Sequence, residues 1–169
     1  RKQAEKTAET MGDGICRKYN FLADPDVKPV TGDLVELVLN RTWRAQLSVT
    51  GMDGLPAPKD AGNVMLPQTT AKLSFRLPPT LKSVDAGEFI REALCKNPPY
   101  DAHVSFTLDG AGDGCAAPQL KPWLAHALEQ PSRFLYDKGF LAFGEGGPIP
   151  FRGPRGETFP GAQVTITGP

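Results

Sequence analysis

Apolar residues recur with helical spacing near the start of the chain and again in three later stretches. The first stripe consists of Ala4, Ala8, Met11 and Ile15. This i, i+4, i+7, i+11 pattern predicts an amphipathic helix that Gly12 and Gly14 weaken, and its apolar stripe needs a packing partner. Asp33 is a predicted N-cap of a short helix through Leu39. Glu36, three residues after it, completes a pattern like a capping box.

Two more helices are predicted further along. Ser83 is a candidate N-cap for a helix whose stripe is Ala86, Phe89, Ile90, Ala93 and Leu94. Asn97-Pro98-Pro99 should stop this helix. The last helical stripe consists of Leu120, Trp123, Leu124, Ala127 and Leu128. Pro131 should kink or end it, because proline lacks the N–H that the helix requires. We expect Trp43 and Trp123 to be core anchors.

Strict alternation of apolar and polar residues marks three strands. The inward positions are Trp43, Ala45, Leu47 and Val49 in the first, Ala71, Leu73, Phe75 and Leu77 in the second, and Val104, Phe106 and Leu108 in the third. This period of two is typical of half-buried strands. We expect the first two to pair, directly or through a neighbour. A last strand is predicted from Ala162 to Thr167.

The order strand, strand, helix, strand predicts an α+β fold: a two-layer sandwich with helices on one face of an antiparallel sheet. It matches the second part of a βαββαβ, ferredoxin-like unit, so an opening strand and helix are expected upstream. The glycine-rich run from Asp109 to Gly114 marks a domain boundary. We therefore predict one domain over residues 1–110 and a second, incomplete one over residues 111–169, too short to enclose a core.

Composition excludes some classes of partner. Lys and Arg total 19 and Asp and Glu total 19, so the formal net charge is zero. No long-range field would draw the chain to nucleic acid or an anionic membrane, and we expect neither as a partner. No apolar run is long enough to span a membrane, and there is no secretory signal pattern. Because the chain begins at Arg1 rather than Met, we expect that an N-terminal portion, with any targeting information, has been removed.

Cysteine and histidine usage points away from a metal site within the chain. Cys16, Cys95 and Cys115 are odd in number and far apart, which suits free thiols in a reducing compartment rather than a disulfide framework or a zinc knuckle. His103 and His126 are the two histidines, and they lack the clustered spacing with carboxylates of a co-catalytic zinc site. We predict no metal ligand in this chain.

Three motifs occur in a fixed order. The first is Arg41-Thr42-Trp43-Arg44 running into Leu47 to Gly54. The second is Gly62 to Pro67 followed by Ala71 to Pro78, and the third is Gly144 to Pro150. Together they resemble the zinc metallopeptidase family that includes the cytosolic nonspecific dipeptidases, carnosinases, aminoacylases and acetylornithine deacetylases. The resemblance covers roughly Leu34 to Gly168.

The resemblance implies a metallohydrolase that cleaves peptide or amide bonds of dipeptides or N-acyl amino acids. Members of the family have a catalytic domain that binds two zinc ions, interrupted by an α+β lid domain that also forms the homodimer. On this basis residues 1–110 correspond to most of the lid, and residues 111–169 to a returning helix-strand segment of the α/β catalytic domain. A cytoplasmic location is expected. The zinc ligands would lie in the missing catalytic-domain portion, so this chain alone should be inactive.

Four residues carry over to substrate binding. Arg76 matches the lid arginine that approaches the substrate carboxylate, a task that suits the two parallel donors of a guanidinium. Asn63 stands where carnosinase-like members have a hydroxyl residue, and it also suits a plain turn. Gly146 and Gly147 would form a tight loop whose N–H groups a carboxylate can approach. Pro148 departs from the family pattern, because it offers neither hydroxyl nor N–H.

Two alternatives stay open at this point. One is a non-catalytic module that binds RNA or a protein through a ferredoxin-like sheet, although the outward strand positions lack the interleaved aromatics that RNA recognition needs. The other is a degenerate, inactive relative, which Pro148 and the absent ligands allow. His103 is expected to be a solvated strand residue, and His126 a partly buried helix residue.

Overall fold

A computed structural model describes residues 1–19, 27–144, 162, 163 and 165. Its helices are α1 (Lys2–Met11), α2 (Gly14–Arg17), α3 (Leu34–Thr42), α4 (Ser83–Cys95) and α5 (Pro122–Tyr136), and its strands are β1 (Gln46–Asp53) and β2 (Thr70–Arg76). Single 3-10 turns lie at Pro58–Asp60 and Pro99–Asp101. The described residues therefore combine helices with a small antiparallel sheet, and the α+β class is confirmed.

The core of the described residues lies between the N-terminal helices and α3. Ala4, Ala8 and Ile15 are buried as their spacing predicts, and they pack with Val38 of α3. The stripe breaks at Gly12, whose positive φ of 50° ends α1 and lets α2 begin at Gly14. The partner that the stripe requires is thus α3, and the two glycines divide the helix rather than merely weaken it.

Asp33 caps α3 as its position predicts. Its side chain accepts hydrogen bonds from the N–H groups of Val35 at 2.9 Å and Glu36 at 3.2 Å. In a capping box the Glu36 side chain would accept the Asp33 N–H in return. Here the Asp33 N–H donates to Thr31 Oγ1 at 3.1 Å instead. Glu36 instead forms ion pairs with Arg1 and Arg44. The helix runs to Thr42, beyond the predicted end at Leu39.

The two predicted strands pair directly and antiparallel. Leu47 lies opposite Phe75 and Val49 opposite Leu73, as alternation predicts. An irregularity at Thr50 shifts the register, so Met52 pairs with Ala71 and joins the same apolar face. The prediction that the first strand begins at Thr42 is wrong: α3 takes Thr42, and the strand starts at Gln46.

Both faces of this hairpin are largely exposed, which differs from the expected sandwich. Leu47 and Val49 are each 58% exposed and Met52 is 56% exposed. The expected core anchors Trp43 and Trp123 are 48% and 63% exposed, so that prediction is wrong within the described residues. The ferredoxin-like sandwich, with helices covering one sheet face, stays a prediction, as do the domain boundaries.

Helix α4 begins at Ser83 and ends at Cys95, just before Asn97-Pro98-Pro99, as predicted. Ser83 is not the N-cap: it is the first helical residue, and its N–H donates to Asp113 Oδ1 at 2.7 Å. A carboxylate from a distant loop thus takes the capping role. This hydrogen bond and Lys82 hold the pKa of Asp113 down to about 2.

The predicted third strand is absent, because residues 102–108 have no regular secondary structure. Helix α5 runs through Pro131 to Tyr136, so Pro131 does not end it. Pro131 is exposed, and water can satisfy the carbonyl group that it leaves without a donor. The predicted strand Ala162 to Thr167 lies mostly outside the described residues. Of its described part, Ala162, Gln163 and Thr165 are not in a strand.

Candidate functional site

Arg76 is the last residue of β2 and is exposed. It lies opposite Gln46, the first residue of β1. The Gln46 side chain donates from Nε2 to the carbonyl oxygen of Asn40 at 2.7 Å, and this bond ties the hairpin end to the last turns of α3. Strand register therefore places Arg76 at the end of the hairpin that adjoins the C-terminus of α3.

The segment that leads into the glycine loop docks at this same end of α3. A side chain on Gly144 would place its Cβ 3.3 Å from the Cβ of Thr42, so the two backbones approach closely. The Arg41 guanidinium lies over the Phe143 ring, 5.9 Å from its centroid. Gln3 Nε2 donates to the Ala142 carbonyl oxygen at 3.0 Å. Gly146 and Gly147 themselves, and Pro148, lie outside the described residues.

Glu129 on α5 fixes the start of this segment. Its Oε2 accepts the N–H of Phe140 at 2.8 Å, and its Oε1 accepts from Arg133 Nε at 2.6 Å. The hydrogen bond from Phe140 and then the one from Arg133 lower the pKa of Glu129. Residues 140–144 are thus held by α5 at one end and by α1 and α3 at the other.

Asn63 lies away from this end. It belongs to the connection 54–69, which joins the opposite end of the hairpin, where Asp53 pairs with Thr70. The eight residues of β1 separate the two ends by about 23 Å at the usual rise per residue. Val64 N–H donates to the Gly62 carbonyl at 2.9 Å, so Asn63 is the central residue of a tight three-residue turn. The described contacts do not bring Asn63 and Arg76 together.

Arginines collect at the C-terminus of α3, where the helix dipole favours positive charge. Arg44 Nη1 pairs with Glu36 at 2.6 Å and donates to Asn40 Oδ1 at 2.7 Å. Arg41 contacts Phe143, and Arg76 enters from the strand. In the sequence, Arg41 and Arg44 stood out as part of the Arg41-Thr42-Trp43-Arg44 motif, which carried the family resemblance. The motif did not predict that these arginines lie at the same end of α3 as Arg76. This end of α3 is therefore a basic surface next to the start of the glycine loop.

The described residues do not contain a metal centre. No group of three or more His, Cys, Asp or Glu side chains among residues 1–19, 27–144, 162, 163 and 165 is arranged to hold an ion. His103 is exposed as predicted, but it lies in an irregular segment rather than a strand. His126 on α5 is exposed, which corrects the prediction that it is partly buried. The part of the chain that the structure describes does not fit a zinc pair.

A depression of about 510 Å³ lies elsewhere, on the outer face of α4. Its walls are side chains of a single helix and the residue that follows it: Glu88, Phe89, Arg91, Glu92, Cys95 and Lys96. Two ion pairs occupy this face, Arg91 with Glu88 and Lys96 with Glu92. Because none of these residues belongs to the group around Arg76, the depression is separate from the candidate site.

No family model matches the chain, and no curated protein matches it. None of the helices in the described ranges has the length and apolar character that crossing a bilayer requires.

Proposed function

We propose that this chain is the substrate-recognition part of a zinc-dependent metallohydrolase that cleaves peptide or amide bonds of dipeptides or N-acyl amino acids. Arg76 binds the substrate carboxylate, and the loop containing Gly146 and Gly147 supplies main-chain N–H groups beside it. Residues 1–110 act as the lid, and residues 111–169 belong to the catalytic domain. The two zinc ions are held by polypeptide other than the described residues, and the chain alone is inactive.

One observation carries this proposal. Arg76 and Gly144 both lie at the C-terminal end of α3, one through its register with Gln46 and the other through contact with Thr42. Thr42 and Gln46 are four residues apart, so their Cα atoms are within about 14 Å of each other. A guanidinium and main-chain N–H groups on a common surface are what recognition of a small carboxylate requires.

The exposed apolar face of the hairpin supports the homodimer part of the proposal. Leu47, Val49, Met52 and Phe75 form a contiguous apolar patch at the surface of the described residues. Patches of this kind mark contact surfaces more often than solvated ones. The same patch is the specific observation that favours the second candidate function, a non-catalytic protein-binding module. If Arg76 has no role in hydrolysis, the protein-binding module is favoured over the hydrolase.

The test compares two substrates in the complete enzyme that the proposal requires. Arg76→Ala should raise KM for a dipeptide with a free carboxylate by the equivalent of roughly 1.5–3 kcal/mol, the range for hydrogen bonds to charged groups. The corresponding dipeptide amide, which has no carboxylate, should show little change.

Arg91→Ala is the matched control, because Arg91 is an exposed arginine on α4 whose partner is Glu88. It should leave both substrates unaffected. Two outcomes would remove Arg76 from the site, and with it the main support for the proposed function. One is an equal increase in KM for the dipeptide and for the dipeptide amide, and the other is a KM that Arg76→Ala leaves unchanged.

A further inference from the structure

The Phe143 ring lies against a cation and still remains partly open to solvent. The Arg41 guanidinium lies over the ring, 5.9 Å from its centroid. Phe143 is nevertheless 41% exposed. Arg41 thus covers one face of the ring, and the part of the ring that Arg41 leaves uncovered is accessible to a ligand.

The backbone is fixed on each side of Phe143. Gln3 Nε2 donates to the Ala142 carbonyl oxygen at 3.0 Å. After Phe143, a Cβ on Gly144 would lie 3.3 Å from the Cβ of Thr42, so the chain passes close against the end of α3. The ring is therefore a preorganised surface, and a ligand that packs on it need not order the segment first.

Phe143 and Arg76 are linked through the last turns of α3. Arg76 pairs with Gln46, and the Gln46 side chain donates to the carbonyl oxygen of Asn40 at 2.7 Å. Asn40 precedes Arg41, which lies over Phe143. These links limit the distance between the Cα atoms of Arg76 and Arg41 to at most about 20 Å. Each arginine side chain extends about 7 Å, so a single amino acid can bridge the Arg76 guanidinium and the Phe143 ring.

The cation behind the ring determines which side chains the ring accepts. The face of an aromatic ring attracts cations, and Arg41 already uses this attraction. A second cation on the ring would be repelled by the Arg41 charge. A neutral aromatic or aliphatic side chain would instead bury apolar surface against the ring without that repulsion.

We propose that Phe143 is a specificity-determining residue, which receives the side chain of the substrate amino acid that carries the carboxylate. It selects substrates in which this side chain is a neutral aromatic or large aliphatic group. This inference rests on the proposed function, because Arg76 must hold the carboxylate for the neighbouring side chain to reach the ring. The substrate class is thus narrowed to dipeptides and N-acyl amino acids with a carboxyl-terminal residue such as phenylalanine or leucine.

The test measures kcat/KM of the complete protein on four dipeptides that share an N-terminal alanine. Their C-terminal residues are phenylalanine, leucine, alanine and lysine. We expect the phenylalanine and leucine dipeptides to exceed the alanine dipeptide about tenfold, the scale of discrimination that an apolar contact provides. The lysine dipeptide should not exceed the alanine dipeptide, because its ammonium group would approach Arg41.

Phe143→Ala should lower kcat/KM for the phenylalanine and leucine dipeptides about tenfold more than for the alanine and lysine dipeptides. Phe143→Tyr keeps the aromatic face and should keep the preference. The ratio between two substrates is measured in one preparation, so a change in the folded fraction does not alter it. Phe89→Ala is the matched control, because Phe89 is a 73% exposed phenylalanine on α4, and it should leave every ratio unchanged.

The inference is overturned if Phe143→Ala leaves the ratios unchanged, if it lowers kcat/KM for all four dipeptides equally, or if Phe89→Ala has the same effect. Arg76→Ala separates this failure from a failure of the proposed function, because it should lower kcat/KM for all four dipeptides. If it does so while Phe143→Ala leaves the ratios unchanged, carboxylate recognition stands and the role of Phe143 falls. If the zinc-loaded complete protein hydrolyses none of the dipeptides, both fall.

Discussion

Val38 is the residue through which α3 closes the core with α1 and α2, and its replacement tests this packing. Its side chain is 7% exposed and packs with Ala4, Ala8 and Ile15. Val38→Ala removes the equivalent of two methyl groups, worth about 1.6 kcal/mol at roughly 0.8 kcal/mol per buried carbon. The alanine neighbours are small and fixed to their helices, so they cannot fill the space, and a cavity term adds to this loss. We expect the free energy of unfolding to fall by about 2 kcal/mol.

Val84→Ala is the matched control, because Val84 also lies in a helix but is 70% exposed. The two substitutions gain a similar helix propensity, so the difference between them reports burial. Urea unfolding followed by far-UV circular dichroism measures both, and the control should lose less than about 0.5 kcal/mol. Equal losses in the two variants would refute the reasoning that α1, α2 and α3 share the core of the described residues.

Two further predictions concern the loops. The pKa of Asp113 is lowered to about 2 in the folded chain from 3.8, so its tether to Ser83 is complete above pH 4 and is lost as the pH falls toward 2. Relative to the intrinsic exchange rate of an unfolded chain at each pH, deuterium exchange at the start of α4 should rise over this window, and Asp113→Asn should remove this pH dependence; an unchanged profile would contradict the tether. Gly54→Ala should destabilise the hairpin by at least about 1–2 kcal/mol, because Gly54 has a φ of 82° and its Cβ would collide with the Gln68 carbonyl oxygen. Gly62→Ala, at an open position, is the control in a thermal unfolding experiment, and an equal effect of the two would count against this account.

Local patterns predicted much of the secondary structure. The stripes of α1, α4 and α5 and the alternation of β1 and β2 all correspond to observed elements. Errors arose where a distant contact decides the outcome. Ser83 has the chemistry of an N-cap, but Asp113, thirty residues away, supplies the capping carboxylate. Alternation at 104–108 is present, but a strand also needs a partner for its backbone, which a period of two cannot reveal.

The boundary between α3 and β1 shows another limit of sequence patterns. Trp43 and Ala45 continue the alternation backwards from Leu47, so the pattern predicted a strand that begins at Thr42. The backbone of α3 instead continues to Thr42, and the Trp43 N–H still donates to the Leu39 carbonyl at 2.9 Å. Helical hydrogen bonds that follow from the Asp33 cap thus extend past the point where the side-chain pattern changes.

The candidate site was predictable only in part. The position of Arg76 on the polar face of β2 follows from alternation, and register with Gln46 follows from hairpin pairing. The approach of Gly144 to Thr42 and the docking of Phe143 under Arg41 join residues about a hundred positions apart. No local pattern specifies such contacts, because they depend on how α5 and Glu129 deliver the segment 140–144 to α3.

The most direct test of the central claim is the hydrolysis of a dipeptide with a free carboxylate by the complete protein that the proposal requires, measured after zinc removal and again after zinc is restored. We expect hydrolysis to stop on zinc removal and to return with zinc, and we expect the restored activity at low substrate concentration to fall at least tenfold in Arg76→Ala, as about 1.5 kcal/mol or more requires. Hydrolysis that is indifferent to zinc, or the absence of hydrolysis from the zinc-loaded complete protein, would contradict the account.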